Sequence, residues 1–160
     1  MSAPAESVTT ETRELSLTRI INGPPEKVYR AWTEPELLKQ WFAPRPWTTP
    51  RAELNVRPGG GNLIVMKGPG GQEFPNRGIY LEVVKNERLV FTDAYTESWE
   101  PSLKPFMTVI LTFEKHEGKT RYTARVRHWT VADRKTHEKM GFHAGWGQCA
   151  DQLVALVEKL

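Results

Sequence analysis

Apolar and polar positions along this chain alternate with a period of two through its middle and with a helical period near both ends. Glu14–Ile21 reads as a first strand: Leu15, Leu17 and Arg19 alternate with Ser16, Thr18 and Ile20. Asn22-Gly23-Pro24-Pro25 stops it. Proline is tolerated in a first helical turn and an acid suits its positive end. Glu26 follows, and Val28, Ala31 and Trp32 recur at helical spacing, so Pro25–Thr33 is predicted as a short helix. Pro35 opens a second, with Leu37, Leu38, Trp41 and Phe42 on one side, ended by Pro44 and Pro46.

From Thr49 the period is two. Ala52, Leu54 and Val56 alternate with Arg51, Glu53 and Asn55, and Pro58-Gly59-Gly60-Gly61 turns the chain into Asn62–Lys67. After Gly68-Pro69-Gly70-Gly71 come predicted strands Gly78–Lys85, Arg88–Tyr95, Phe106–Lys115 and Lys119–Trp129, the last pair joined at Glu117-Gly118. Phe142, Trp146, Cys149, Leu153, Leu156 and Leu160 then step by four and three, a single apolar stripe on a long helix, widened by Ala150, Val154 and Val157. The predicted order is strand, two helices, six strands, long helix. Strands linked in hairpin succession form an antiparallel sheet with a face free to pack. The expected fold is α+β: a curved antiparallel sheet of about seven strands around the C-terminal helix, with an apolar, ligand-sized cavity between.

Composition narrows this picture. A chain of 160 residues fits one domain, expected over residues 14–160 after a disordered tail over 1–13. With 22 Lys and Arg spread among 19 Asp and Glu, the surface is mixed, and nucleic-acid binding is not expected. Cys149 is the single cysteine, so no internal disulfide forms and a reducing cytoplasm is the natural setting. No stretch approaches the ~20 apolar residues of a membrane span, and Met1–Thr12 lacks the basic start and apolar centre of a signal peptide.

Several short stretches, taken in order, carry a resemblance. They are Arg19-Ile20-Ile21 leading into Pro25-Glu26-Lys27-Val28-Tyr29-Arg30-Ala31-Trp32, then Pro35-Glu36-Leu37-Leu38-Lys39-Gln40-Trp41-Phe42-Ala43-Pro44, then Arg57-Pro58-Gly59-Gly60. Gly78-Ile79-Tyr80-Leu81-Glu82-Val83, Glu87-Arg88-Leu89-Val90-Phe91-Thr92, and Gly145-Trp146 ahead of Leu153 complete the set. The chain resembles the START-like, birch-pollen-allergen-like (SRPBCC) superfamily. Within it, the chain is similar to bacterial proteins related to the C-terminal domain of the activator of heat-shock protein 90 ATPase. The resemblance implies the helix-grip fold. It implies no single reaction, because relatives include lipid carriers, hormone-binding proteins, polyketide aromatases and cyclases, and co-chaperone domains. The stretch before Leu15 is too short to be an N-terminal co-chaperone domain, so chaperone activation is not carried over.

Candidate chemistry is sparse. Strand alternation puts His128 on the inward face with Tyr122, Ala124 and Val126, where it could bind a ligand carbonyl or move a proton; the alternative is a core histidine bonded to backbone or water. His137-Glu138 lacks the second histidine at i+4 that a zinc helix needs, since position 141 is Gly and His143 falls nearly opposite, so no metal site is expected. Cys149, among apolar neighbours, reads as a small core residue. The glycine-rich turns lack the Gly-Lys-Ser/Thr of a phosphate cradle, and no cofactor is expected. Arg121, Arg125 and Arg127 form an outward row that Glu114 on the preceding strand can face. Alternation also ranks Glu82 outward.

The aromatics point further. Trp41, Phe42, Trp47, Trp129, Phe142 and Trp146, with Tyr80, Met107, Val109 and His128, are the expected lining and mouth of the cavity; the alternative is that these rings fill the core and plug it. The leading function is binding of a small hydrophobic or aromatic molecule. A cyclase, aromatase or hydrolase using His128 for proton transfer is the alternative, and a protein-interaction module with a chaperone partner is a third. A homodimer stays open.

Overall fold

The computed structural model describes residues 11–160. Strand β1 (Glu14–Ile21) leads into helix α1 (Pro25–Thr33) and the one-turn helix α2 (Pro35–Leu38). Then come β2 (Thr48–Leu54), β3 (Gly61–Lys67), β4 (Glu73–Val84) and β5 (Arg88–Thr92). A small hairpin of β6 (Tyr95–Thr96) and β7 (Glu100–Pro101) precedes the long pair β8 (Met107–His116) and β9 (Lys119–His128). Helices α3 (Val131–Lys139) and α4 (Phe142–Lys159) close the fold. The main sheet runs β1-β9-β8-β5-β4-β3-β2, with every pair antiparallel, as expected of a helix-grip α+β architecture.

Local chemistry explains where the elements depart from the sequence reading. β4 starts at Glu73 rather than Gly78. The Gly68–Gly71 turn closes on itself (Gly71 N–H to Gly68 O, 3.0 Å) and pairs Lys67 with Glu73 at once. β5 ends at Thr92 rather than Tyr95. The Asp93 carboxylate accepts from the N–H groups of Phe106 (2.8 Å) and Met107 (3.0 Å), so a side chain replaces the ladder and turns the chain out into the small hairpin. At Gly60 a side chain is excluded, because a Cβ there would lie 2.0 Å from the Asn55 carbonyl oxygen.

Helix α3 is absent from the sequence reading, and the second helix stops at Leu38 instead of running to Phe42. Regular structure is present before Glu14: Glu11–Arg13 make a short 3-10 turn packed near α3. The rest of the expected tail, residues 1–10, lies outside the described residues.

The core sits between the sheet and the helices. One cross-strand row carries Tyr80, Phe91, Val109, Val126 and Leu15; the next carries Leu89, Leu111, Ala124 and Leu17. A bulge at Leu81 resets the register, so that Tyr80 pairs with Phe91 and Val83 with Leu89 on this same inner face. α1 packs on β8 and β9 with Val28, Ala31 and Trp32 buried, while α4 packs on β1 and α1. On α4 the buried residues are Phe142, Gly147, Ala150, Leu153 and Val157, so the inward stripe is centred toward Ala150 and Val157 rather than on Leu156 and Leu160.

Truncating Leu153, fully buried at the centre of that stripe, is expected to cost about 2–5 kcal/mol. Leu103→Ala, at a fully exposed position, should stay within about 0.5 kcal/mol of the parent. Urea unfolding of both variants checks the pair; equal losses would contradict this account of the core.

Candidate functional site

Two groups of aromatic side chains face the interior. The first is centred on Trp32 of α1. Its ring lies 4.7 Å from Trp41, 6.0 Å from Phe42 and 5.7 Å from Phe91, centroid to centroid, mostly edge-on. Tyr80 joins through Phe91 at 6.3 Å. Edge-to-face packing sets the positive edge of one ring on the negative face of the next. The indole N–H of Trp41 donates to the Ala31 carbonyl at 3.0 Å. That of Trp32 is buried with no hydrogen bond of good geometry. The polar group acting on it is the Tyr122 hydroxyl, and this interaction opposes the burial that drives the Tyr122 pKa upward. Burial likewise raises the Tyr80 phenol, with Tyr29 adding to it. Asn62, which the register places on the same face as Tyr80, also buries an amide nitrogen without a partner. Unpaired buried donors are uncommon in folded proteins.

Helix α4 holds the segment after α2 against this cluster through its side chains. Gln152 donates to the carbonyls of Trp41 and Ala43, both at 2.8 Å, and Gln148 donates to that of Arg45 at 3.2 Å. The Cys149 thiol donates to the Phe42 carbonyl at 3.1 Å. Burial pushes that thiol up to about 12, so it is protonated at neutral pH and serves as a packing residue.

The second group surrounds a pair of histidines at the end of β9. His128, 2% exposed, bonds the Arg13 carbonyl through Nδ1 at 2.8 Å and His137 Nδ1 through Nε2 at 2.9 Å. Phe106 lies 5.4 Å from His128 and 5.0 Å from His137; Phe142 is 5.2 Å and Trp146 6.5 Å from His137. Burial, and secondarily the neighbouring His128, lowers His137 to about 4. His137 is the buried residue of an otherwise exposed or half-exposed α3, and no spacing in the sequence marks it as a partner for His128. Its neighbour His143 turns to Glu138 at 3.5 Å, and among the described residues no group of three metal ligands comes together.

The ten candidate residues divide accordingly. Ring contacts place Trp41, Phe42 and Tyr80 in the first group, and His128, Phe142 and Trp146 in the second. Val109 is fully buried in the core, and half-buried Met107 sits opposite His128 across the β8–β9 ladder. Trp47 packs on Phe74 at 5.5 Å, and Trp129 is 50% exposed. The arginine row is outward, but its acid is Glu14 of β1, which takes Arg125 at 3.3 Å and Arg127 at 3.0 Å; Arg121, opposite Glu114 in register, reaches His116 instead. Glu82 is exposed and paired with Arg88 at 3.1 Å.

Two open surface grooves lie elsewhere. One, of about 340 Å³, is lined by Arg51, Glu53, Arg77 and Glu97 among others, on the face opposite Tyr80. The other, of about 1000 Å³, lies where the β4–β5 turn meets the start of α1. Neither contains any of the ten candidates, and both carry charged side chains.

The histidine pair has a pH signature. The folded state holds His137 neutral, with its pKa near 4 against an ordinary 6.5. Its contribution is therefore complete above pH 6.5 and is lost as the pH falls from 6.5 toward 4, where the unfolded chain takes the proton first. Between pH 7 and pH 5 the protein should lose about 2 kcal/mol more than His137→Asn. Denaturant titrations at the two pH values measure the difference; parallel curves would show that His137 titrates normally.

A protein from Nitrosomonas europaea is 41% identical, with 92% of this chain and 96% of that one aligned at a TM-score of 0.89. A Chromobacterium violaceum protein is 26% identical over 91% of this chain and 97% of its own, TM-score 0.75. An AHSA1-like protein from Aeromonas hydrophila, at 20% identity, 91% and 92% coverage and TM-score 0.68, shares the fold. No functionally curated protein matches significantly. The family model described as activator of Hsp90 ATPase homolog 1-like protein matches residues 22–158, and the chain belongs to that family.

Proposed function

We propose that this protein binds a small hydrophobic or aromatic molecule in a cleft between the inner face of the sheet and helix α4. One observation carries the reading. Trp146 lies on the inward stripe of α4, in line with Phe142, Ala150, Leu153 and Val157, which are all buried, yet it is only half-buried itself. Residues on the inner face of the sheet behave alike: Phe91, Met107, Ala52 and Leu54 pack against the core and stay half-buried. Apolar groups that face a core without being filled in are what an apolar ligand would cover. The unpartnered amide nitrogen of Asn62 supplies a polar handle on the same side.

The family supports the choice of binding over catalysis only in part, since its fold serves both. The polar groups here favour binding. The Cys149 thiol is protonated, Glu82 is outward, and burial raises the Tyr80 and Tyr122 phenols further above neutrality, so none of these groups supplies a base or nucleophile in the core. Among the described residues no helix is long and apolar enough to cross a membrane. A single half-buried cysteine suits a cytoplasmic setting.

The neutral fluorophore N-phenyl-1-naphthylamine should bind with a Kd in the micromolar range, on the order of 8 kcal/mol. Ala52→Phe, which adds a ring on the inner face, should weaken it about tenfold while leaving the melting temperature close to the parent's. Fluorescence titration of both proteins is the test, and a probe that binds neither, or both equally, argues against the cleft.

A further inference from the structure

Hydrogen valence at the histidine pair fixes more than its position. The Arg13 carbonyl can only accept, so His128 Nδ1, 2.8 Å away, carries a hydrogen. With the ring uncharged, His128 Nε2 is then an acceptor. The hydrogen in its 2.9 Å contact belongs to His137 Nδ1. A neutral His137 with hydrogen on Nδ1 has a bare lone pair on Nε2. Among the described residues no protein group hydrogen-bonds that nitrogen, and His137 retains 9% exposure, so the atom is not sealed away. Around it stand Phe142, fully buried, and Phe106 and Trp146, both half-buried. The nearest charges on α3 are engaged elsewhere: Glu138 takes Arg134 and His143.

We propose that the bare Nε2 of His137 is the polar end of the ligand site, and that the ligand is an uncharged aromatic molecule bearing a hydroxyl or N–H donor, a phenol being the simplest. This rests on the binding reading above and adds a chemical class to it. The three rings receive the flat body, and the nitrogen takes the donated hydrogen. A carboxylate is disfavoured, because the bare nitrogen and the carboxylate are both acceptors. His128 acts as a positioning residue: it touches no ligand and dictates which nitrogen of His137 is bare.

Two probes of matched shape, 2-naphthol and 2-methylnaphthalene, test the claim. Their affinity ratio cancels the apolar contribution. His137→Asn keeps an amide donor where Nδ1 stands and removes the Nε2 acceptor. The ratio should move roughly three- to tenfold against 2-naphthol in this variant, and His137→Gln, which reaches the Nε2 position, should restore part of it. A second measurement needs no variant. In a two-bond ¹H–¹⁵N spectrum of the parent protein at pH 7, His137 should show hydrogen on Nδ1, and its Nε2 resonance should shift with 2-naphthol and not with 2-methylnaphthalene. If both probes bind and the ratio is unchanged, or if the hydrogen is on Nε2, the inference is overturned and the cleft reading stands. If neither probe binds the parent, both fall.

Discussion

A single helix cannot cover the sheet it packs on, and this shortage of cover organises the molecule. Seven strands about 4.8 Å apart make an inner face about 29 Å wide. The eighteen residues of α4 give a rod about 27 Å long and only about 10–12 Å across. The helix is long enough and far too narrow. It therefore packs at the β1 side of the sheet, and α1 and α2 fill in over other strands. The aromatic residues of α1 and the following loop, Trp32, Trp41 and Phe42, supply bulk where backbone is missing. What remains short of cover is the part of the inner face carrying Phe91, Met107, Ala52 and Leu54, and the proposed cleft follows from that deficit.

The same constraint explains what the sequence reveals. Strand alternation is legible because most inner-face residues are apolar and most outer-face residues are more exposed, so β1, β8 and β9 fall close to their expected places, and β3 does so between its glycine turns. It also points His128 inward correctly, next to Val126. Helix α4 is legible for the same reason, and its centre of burial drifts only because Ala150 and Val157 are small and approach closely. Helix α3 has no such stripe: of its residues only His137 is buried. A local signal for it does exist. Thr130 caps the helix by accepting the Asp133 N–H at 3.0 Å, and Gly141 breaks the chain with a φ of +95°. Capping chemistry is short-range and easily overlooked beside a five-turn apolar helix.

The candidate site is less legible than the fold, because its key contact joins elements that share no pattern. The two histidines stand nine positions apart, one on a strand and one on a polar helix, and the third member is a backbone carbonyl before β1. No spacing rule pairs such groups. The arginine row shows the same limit. Alternation orients it correctly, but whether Glu114 or Glu14 answers it depends on which strand ends nearest in register.

The carbonyl of Arg13 has a consequence that reaches past the site itself. Because it demands a hydrogen from His128, and one hydrogen already fills the contact between the rings, an added proton has only one place to go, Nε2 of His137. Once it arrives, the outer nitrogen of His137 ceases to receive and begins to give, with every heavy atom in place. The same pair thus holds two opposite chemical polarities that differ by one hydrogen nucleus.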